Sequence, residues 1–290
     1  RLGDGGRHHA LRAQRPRNYL AMKADSFFAA AAHSLHETED KWEIEWHDRV
    51  TSTQTVAKDR PAWTAVIADE QVAGRGQADR AFVSDPGGLY LTAVLPYAGD
   101  ALKSRGFALA VGWAVRSVLR QAGAKDLRLR WPNDLMVGSL KVGGILVEQG
   151  GPNTLLVGIG LNLTNRPWLA DATLDGIAGR LADAVESVGA AERGWPKRGA
   201  LVDELLAAVA RAHRSFGRDA LAGLAFRLNT CWGASREVVI EPVAGGPRVE
   251  TRGWFHSIDV DGRVVLREMD GGIVAIPAHH IGRLREVAAV

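Results

Sequence analysis

Three short segments of the sequence combine glycines with charged or amide side chains in a way that suits an anionic ligand. In the first, Gly74 to Arg80, two glycines let the backbone approach a ligand, and Arg75 and Arg80 carry fixed positive charge. Backbone N–H groups and guanidinium forks both donate to phosphate or carboxylate oxygens. The segment is neither a Walker-type phosphate loop nor a dinucleotide-binding glycine motif. A surface turn with incidental arginines is the alternative interpretation.

The second segment joins a proline–asparagine turn to a strand that begins with a lysine. Proline and asparagine end a strand just before Asp134, so this carboxylate could hold a metal or a ligand. Lys141 opens the next strand, in which Gly143 and Gly144 would let a ligand lie against the backbone. A turn-forming role for Asp134 and a solvated strand end for Lys141 remain open.

The third segment, Val157 to Leu163, is an apolar strand interrupted by Gly158 and Gly160. Alternating glycines in a strand mark close packing or close approach of a ligand. Asn162 could hydrogen-bond a base or a ribose. A buried strand packed against a helix is compatible with this interpretation.

Composition excludes several other classes of protein. The one cysteine, Cys231, rules out an intramolecular disulfide framework and a multi-cysteine zinc site. Neither the His-Glu-x-x-His pattern of zinc proteases nor the serine elbow of esterases occurs, so hydrolase and metalloenzyme functions find little support. We expect no zinc, haem or flavin. No apolar run reaches the roughly 18 residues of a membrane span, and the arginine-rich N-terminus lacks a secretory apolar core. Because of these absences, the chain is predicted to be cytoplasmic, without membrane contact. Its net charge is a small +3.

The elements that must position these segments are short strands joined by hairpins. A turn at Gly138 and Ser139 uses glycine for its positive φ, and Gly150 to Asn153 makes another turn. Because hairpins rather than helices join the strands, we predict an α+β fold with a mixed, largely antiparallel sheet and flanking helices. Strands are predicted at Trp63–Ala68, Gly88–Leu95, Leu127–Trp131, Leu135–Val137, Lys141–Glu148 and Leu155–Leu163. Helices are predicted at Asp100–Gln121, around Leu201–Phe216 and around Leu221–Leu228.

The chain divides into three predicted regions. Residues 1–40 are basic and read as a flexible tail, too short and unpatterned for a winged helix-turn-helix. Residues 41–230 contain all three segments and form the main domain. In residues 231–290, short strands are predicted at Val238–Ile240, Gly253–Val260 and Val264–Leu266. An Asp261-Gly262 hairpin joins the last two and no helix occurs, which predicts a small β-barrel.

Taken in order, the motifs resemble those of biotin protein ligases. The family pattern is an Asp-Ser-Thr-Asn start, Gln-x-x-Gly-Arg-Gly-Arg, Lys-Trp-Pro-Asn-Asp, Lys-x-x-Gly-Ile-Leu-Val-Glu and Gly-Ile-Gly-x-Asn. The corresponding segments here are Thr51–Gln54, Gln71–Gln77, Arg130–Asp134, Lys141–Glu148 and Gly158–Asn162. The resemblance covers residues 42–230 in register and is weaker beyond them. Five motifs in order at normal spacing are a specific signature.

The resemblance implies a fold and a set of site residues. The fold would be a mixed sheet related to class II aminoacyl-tRNA synthetases, followed by an SH3-like barrel. Arg75 and Lys141 would be catalytic, contacting the biotin carboxylate and the α-phosphate of ATP, and Asp134 would bind Mg²⁺ or Lys141. The biotin-binding residues would be Ser52, Thr53, Gln54, Gln71, Arg75, Gly76, Gln77, Lys141, Gly143 and Gly144. The nucleotide-binding residues would be Gly74, Arg75, Arg80, Asn133 and Asn162.

The implied activity is ATP- and Mg²⁺-dependent activation of biotin to biotinyl-AMP, followed by transfer to a lysine of a biotin carboxyl carrier protein. The resemblance leaves open whether the chain forms a homodimer, and the short tail argues against specific DNA binding. Three other functions remain open: a lipoate or octanoate ligase of the same fold, a biotin-sensing repressor, and an inactive biotin-binding relative.

The sequence departs from the family pattern at four positions. Thr51 replaces an aspartate, Gln77 an arginine, Asp79 a glycine and Phe82 a tryptophan. Our hypothesis is that loss of the cation at position 77 weakens retention of the charged adenylate, so that the intermediate escapes. The alternative is that Arg80 or the amide of Gln77 takes over that role.

Overall fold

The computed structural model describes residues 41–77, 80–97, 106–185, 197–219, 222–232, 236–243, 245 and 249–287. The predicted tail at residues 1–40, Asp79 and the first residues of the helix predicted from Asp100 lie outside these ranges. Residues from Trp42 onward belong to one structural unit. None of the helices in the described part of the chain combines the length and hydropathy that a membrane crossing requires.

The main element is a seven-stranded sheet with the order β1-β2-β3-β7-β6-β5-β4. Only β1 and β2 are parallel, and the other neighbours are antiparallel. The predicted mixed, largely antiparallel sheet is therefore confirmed. Its strands are β1 (Glu43–Val50), β2 (Thr64–Gln71), β3 (Leu89–Pro96), β4 (Arg128–Arg130), β5 (Asp134–Val137), β6 (Leu140–Gly151) and β7 (Thr154–Leu161).

The two faces of this sheet have different partners. Alternate residues of a strand point to opposite faces, and in β3 Leu91 belongs to the large core that also contains residues of helices α2 (Phe107–Gln121) and α4 (Arg198–Asp219). Val94 lies on the other face, in a small cluster with Ala57 from helix α1 (Thr53–Ala57). The face that carries α1 is also the face that holds the candidate site.

Helix α2 is placed by glycines at its two ends. Gly106 precedes it with φ +84, and Gly123 follows it with φ +118, conformations that glycine adopts without strain. The stop at Gly123 was predicted from the sequence. The described residues also form helices α3 (Pro167–Ala170) and α5 (Ala222–Trp232), and α5 corresponds to the second of the predicted C-terminal helices.

The C-terminal region forms a five-stranded antiparallel sheet with the order β11-β10-β9-β8-β12. Its predicted turn at Asp261-Gly262 is present, and Gly262 has φ +76. Of its strands, the last two were not individually predicted. They are β8 (Glu237–Pro242), β9 (Thr251–Ile258), β10 (Val264–Glu268), β11 (Ile273–Ile276) and β12 (Ile281–Glu286).

The two sheets are connected through both polar and apolar contacts. Trp131 is buried, and its Nε1 donates to the carbonyl oxygen of Gly262 at 3.0 Å. Asn229 bonds the backbone of Ile258 through both its amide nitrogen and its amide oxygen. Apolar residues of both sheets share one core. The domain boundary between residues 230 and 231 stays a prediction, and α5 continues to Trp232.

Two strand assignments from the sequence need correction. β1 was not predicted, because an edge strand with charged residues on its exposed side lacks an apolar run. β6 extends to Gly151, past the turn expected at Gly150, since Gly151 still pairs with Thr154.

Candidate functional site

One cavity of about 640 Å³ lies on the α1 face of the large sheet. It is bounded by the glycine–arginine hairpin, by β6 and β7, and by residues of the C-terminal sheet. Arg75 and Lys141 line this same cavity, although 66 positions separate them in the chain. The predicted site residues that line it are Ser52, Thr53, Gln54, Gln71, Arg75, Gly76, Gln77, Arg80, Asn133, Asp134, Lys141 and Gly144.

At one end of the cavity the polar residues are uncharged; Ser52, Thr53, Gln54 and Gln71 form what we term the neutral end. Gln71 Oε1 accepts from the backbone N–H of Thr53 at 2.8 Å and from its hydroxyl at 3.1 Å. Thr53 Oγ1 in turn accepts from Thr92 at 2.8 Å. The hydroxyl hydrogen of Thr53 is thus already used, which leaves this oxygen only an acceptor for a ligand.

The same network fixes the amide of Gln71 against the hairpin. Gln71 Nε2 donates to Ser84 Oγ at 2.8 Å, and Ser84 Oγ donates to the carbonyl oxygen of Phe82 at 2.8 Å. The backbone passes so close here that a Cβ at Gly74 would lie 2.3 Å from that carbonyl oxygen. Gln71 therefore has one amide hydrogen left for a ligand and mainly holds Thr53 and the hairpin in place.

Two buried atoms of the neutral end have no hydrogen-bond partner among the residues that the structure describes. Ser52 is 2% exposed and Gln54 is 4% exposed, yet Ser52 Oγ and Gln54 Oε1 are unpaired. Ser52 precedes α1 at its N-cap but makes no capping bond. A buried polar atom without a partner costs about 1–3 kcal/mol. A ligand that supplies the missing partners would recover this free energy.

The cavity lining also carries charged side chains, and we call Arg75, Arg80, Arg130, Asp134 and Lys141 the charged end. Arg75 lies on the hairpin, which closes through a bridge to Ala81 and a 2.8 Å bond from Gly76 N to the carbonyl of Arg80. Its Nη2 contacts Glu148 Oε1 at 3.0 Å. Arg80 Nε donates to the carbonyl oxygen of Gln77 at 3.1 Å.

Asp134 is the anion at the centre of the charged end. Its Oδ1 lies 2.6 Å from Lys141 Nζ, and its Oδ2 lies 2.7 Å from Arg130 Nη2. Burial opposes the charged carboxylate, but the attraction of Lys141 and then of Arg130 outweighs burial, so the pKa of Asp134 is lowered from its usual value. The three side chains form a fixed group with one net positive charge.

The strand pairing explains why Lys141 reaches Asp134. The two residues lie on neighbouring strands, β6 and β5, which are joined by the Gly138 turn. Asn133 anchors the preceding turn: its Nδ2 donates to the carbonyl oxygen of Ile145, and its own carbonyl accepts from Ile145 N at 3.0 Å. A Cβ at Gly144 would lie 3.5 Å from Lys141 Nζ, so this glycine keeps the space beside the ammonium group open.

The charged end is a poor match to a resident metal site. In the described part of the chain, no three His, Cys, Asp or Glu side chains come together as a metal-binding group. Asp134 already accepts from two cations, one on each carboxylate oxygen. A Mg²⁺ bound to Asp134 would lie beside these two cations and be repelled by both. The assignment of Asp134 to magnesium therefore stays a prediction, and the geometry favours its other predicted role as partner of Lys141.

Three predicted site residues do not line the cavity. Gly74 packs inside the hairpin, as described above. Gly143 points to the opposite face from Gly144, where a Cβ would meet the carbonyl oxygen of Gly160 at 2.6 Å. Asn162 is 3% exposed, and its amide donates to the carbonyl oxygen of Gly179 at 3.0 Å and accepts from Asn165. Its polar atoms are thus occupied by the protein itself.

Some residues that line the cavity were not selected from the sequence. One group, in the segment after α3, consists of Thr173, Leu174 and Ile177. The carbonyl oxygen of Ile177 accepts from Lys141 N at 2.8 Å. Another belongs to the C-terminal sheet, at Glu241–Pro242 and Ile281–Leu284. Ile177 is half-exposed in the structure, a property that the sequence alone does not give. The C-terminal residues had no local signal.

The alternating glycines of β7 face the cavity, as the sequence suggested. A Cβ at Gly160 would lie 2.8 Å from the ring of Phe82, and a Cβ at Gly158 would lie 3.2 Å from Gln54 Oε1. These glycines make space for side chains that form the cavity wall. Phe82 also packs edge-on against Tyr90, with ring centroids 6.4 Å apart.

Sequence comparison finds relatives of one kind. The family model described as "Biotin/lipoate A/B protein ligase family" matches residues 46–163. A biotin–[acetyl-CoA-carboxylase] ligase of Paracoccus denitrificans is 32% identical over 227 residues, which cover 76% of this chain and 89% of that protein. The bifunctional ligase/repressor BirA of Bacillus subtilis is 30% identical over 149 residues. The match spans only 46% of that relative, less than half its length.

Solved structures show the same fold. The biotin protein ligase from Aquifex aeolicus in complex with biotin and ATP has a TM-score of 0.71 at 23% identity, covering 84% of this chain and 99% of that chain. The biotin acetyl coenzyme A carboxylase synthetase from Helicobacter pylori has a TM-score of 0.53 at 20% identity. The match covers 81% of this chain and 99% of the Helicobacter pylori chain.

Proposed function

The chain belongs to the biotin protein ligase family, and we propose that it activates biotin with ATP and transfers it to a lysine of a carrier protein. The observation that carries this proposal is the pairing of two unlike ends in one cavity. Buried, unpartnered Ser52 Oγ and Gln54 Oε1 lie at the neutral end. Arg75 and Lys141 lie at the charged end.

Biotin has a matching division of polar groups. Its ureido ring carries one carbonyl and two N–H groups without net charge, and its valeryl chain ends in a carboxylate. The neutral end offers a hydroxyl at Ser52 that can donate or accept, and acceptors at Thr53 and Gln54. We place the ureido ring there and direct the carboxylate toward Arg75 and Lys141, which would neutralise its charge.

In the first step a carboxylate oxygen of biotin attacks the α-phosphorus of ATP. A new O–P bond forms, the bond to the β-phosphate oxygen breaks, and pyrophosphate leaves with the electron pair. Negative charge accumulates on the phosphoryl oxygens, so fixed cations beside them lower the barrier. Lys141, held by Asp134 at 2.6 Å, and Arg75 on the hairpin would supply these cations.

ATP would enter as its magnesium complex. Mg²⁺ in nucleotide sites keeps several waters and takes phosphate oxygens with one or two carboxylates. Because Asp134 is engaged by two cations, we propose that phosphate oxygens of ATP and water molecules, rather than side chains, provide most of the ligands of the ion. Bound Mg²⁺ would neutralise charge on the leaving pyrophosphate.

In the second step the amine of a carrier lysine attacks the activated carbonyl of biotinyl-AMP. An amide bond forms, the mixed anhydride breaks, and AMP leaves with the electron pair while the amine loses a proton. No side chain of this chain has to act as a nucleophile. A biotin carboxyl carrier protein is the proposed acceptor. Homodimer formation and the absence of specific DNA binding stay predictions.

The hydrogen-bonding groups of the neutral end also favour biotin over lipoate or octanoate as the substrate. A dithiolane ring or a fatty acyl chain has no N–H or C=O group at its distal end. Either ligand would leave Ser52 Oγ and Gln54 Oε1 buried without partners, at the cost noted above for each such atom. The unpaired atoms therefore favour biotin.

The test is incubation with ATP, Mg²⁺, labelled biotin and a biotin carboxyl carrier domain, followed by detection of the labelled lysine. We expect one labelled lysine per carrier domain and release of pyrophosphate. Matched controls omit ATP, replace biotin by lipoate, or replace the acceptor lysine by arginine. Biotin binding without ATP-dependent pyrophosphate release would show an inactive relative, and labelling with lipoate but not biotin would reverse the assignment.

A further inference from the structure

Glu148 contacts two cavity-lining residues without itself being one of them. Its Oε1 accepts from Arg75 Nη2 at 3.0 Å, and its Oε2 accepts from Gln54 Nε2 at 2.9 Å. The three residues come from β6, the hairpin and α1. One carboxylate thus connects the charged end of the cavity to its neutral end.

The bond to Glu148 decides which atom of the Gln54 amide is available to a ligand. A carboxylate oxygen accepts hydrogen bonds and does not donate them, so the NH₂ group of Gln54 must face Glu148. The other branch of the amide, Oε1, is buried without a partner and lies beside Gly158 in the cavity wall. Rotating the amide by half a turn would put two oxygens against each other, which the charge of Glu148 disfavours.

Resting on the function proposed above, we propose that Glu148 is a positioning residue for substrate specificity. By holding the Gln54 amide in one orientation, it makes the neutral end present a carbonyl acceptor to the ring of the substrate. The substrate class selected is a cyclic urea, whose N–H donates to Gln54 Oε1. A ring with oxygen at that position would face the same acceptor with a lone pair and bind more weakly.

Glu148 also contacts the cavity-lining Arg75. An effect of Glu148 through Arg75 would have different consequences from an effect through Gln54. Arg75 is 44% exposed in its side chain, and an ion pair with that much solvent contact contributes little to stability. If Glu148 acted mainly on Arg75, its substitution would change the rate of adenylate formation and leave discrimination between ring types intact. Gln54 is only 4% exposed and makes one charge-assisted hydrogen bond to Glu148. We therefore expect Glu148 to act on specificity mainly through Gln54.

The test compares biotin with its two cyclic carbamate analogues, in each of which one ring N–H is replaced by oxygen. Dissociation constants are measured by calorimetry for the full chain and for Glu148→Gln and Gln54→Asn. We expect the unmodified chain to prefer biotin over one of the two carbamates by about 100-fold, because that carbamate leaves Gln54 Oε1 buried without a donor. A glutamine at position 148 can donate or accept, which frees the Gln54 amide to rotate, so the preference should fall about tenfold.

Gln54→Asn tests the same idea from the other side. It keeps an amide but shortens the side chain by one methylene, so the contact with Glu148 is lost and the preference should fall similarly. The matched control is Glu45→Gln. Glu45 is paired with Arg60 at 2.6 Å, has a similar exposure of 25%, and lies on β1 away from the cavity lining. We expect this control to leave the preference unchanged.

The outcomes separate the specificity proposal from the function proposal. If the unmodified chain binds biotin but Glu148→Gln keeps its full preference, or lowers only the rate of pyrophosphate release, the specificity proposal is overturned. If the unmodified chain does not bind biotin, the function itself is wrong. Thermal unfolding identifies any variant that does not fold, and Glu148→Asp, which shortens the side chain and withdraws the carboxylate from Gln54 Nε2, then replaces Glu148→Gln in the comparison.

Discussion

The neutral and charged ends of the cavity differ in how their polar groups are paired before a ligand binds. At the neutral end Thr53 and Gln71 are held by a continuous hydrogen-bond network, while Ser52 Oγ and Gln54 Oε1 remain unpaired. At the charged end Lys141 is already bonded to Asp134. The neutral end needs a ligand to complete it, whereas the charged end must share or exchange its partners when a ligand enters.

This difference assigns separate tasks to the two ends. A rigid set of unpaired atoms distinguishes ligands by which hydrogen bonds they return, and so it sets affinity and specificity. Cations held at fixed positions do more for a transition state, in which charge builds up, than for the bound substrate. Substitutions at the charged end should therefore change mainly the rate, and substitutions at the neutral end should change mainly the affinity for biotin.

The largest expected effect is at Lys141. Lys141→Ala should lower the rate of biotinyl-AMP formation by about 10²–10³-fold, because it removes one preorganised cation. Biotin affinity should change far less. Pyrophosphate release at saturating ATP measures the rate, and Lys125→Ala, at an exposed position after α2, is the control. A normal rate in Lys141→Ala would remove Lys141 from the mechanism.

The next effect concerns stability and its pH dependence at Asp134. Asp134→Asn should lower the free energy of unfolding by about 2 kcal/mol near neutral pH, because it leaves Lys141 and Arg130 without an anion. The folded-state pKa of Asp134 is lowered, so its stabilisation is present above the ordinary value of 3.8 and is lost as pH falls through the lower native value.

Denaturant unfolding of both proteins across this pH range tests the prediction. The difference between the unmodified chain and Asp134→Asn should be constant from neutral pH down to about pH 5 and should close below 3.8. A difference that persists at low pH would show that Asp134 stabilises the fold by packing rather than by charge.

At the neutral end the expected effect is smaller and of a different kind. Ser52→Ala should weaken biotin binding about tenfold, the value of one hydrogen bond to a buried site, and leave the turnover rate nearly unchanged. Because Ser52 Oγ makes no capping bond and has no partner in the protein, the fold should not lose stability. A large fall in turnover with normal affinity would contradict the division between the two ends.

The smallest expected effect tests the departure at Gln77. Gln77→Arg places a cation at a half-buried position of the cavity lining. It should slow release of biotinyl-AMP by about threefold, because an ion pair that keeps contact with solvent contributes little. Release is measured by trapping free adenylate in the absence of carrier protein. If release is not slowed, Arg80 or the Gln77 amide already retains the adenylate, and the leak hypothesis fails.

Local sequence signals were sufficient where one element determines the structure by itself. Gly138, Gly262 and Gly123 marked turns or a helix end because the required positive φ is a property of single residues. The hairpins that follow from them made the sheet antiparallel over most of its width. The charged, polar pattern of β1 carried no such signal, and its parallel pairing with β2 depends on a contact distant in sequence.

The site was predictable in outline and not in its assignment of faces. Gly143 and Gly144 are equivalent in the sequence, but only Gly144 faces the cavity, because neighbouring residues of a strand point to opposite sides. Asn162 has a suitable side chain, yet Gly179 and Asn165 occupy it. Which polar atoms are left for a ligand depends on all neighbours in space.

By itself, the sequence determined the order of the motifs, the turns between them, and the chemical types that could meet in a site. Tertiary structure alone decided that Glu148 joins Gln54 to Arg75 and that residues of the C-terminal sheet close the cavity. The physical reason is the distance along the chain over which each effect acts. Backbone preferences act within a few residues, whereas the register of distant strands determines which side chains share a face and which hydrogen bonds remain open.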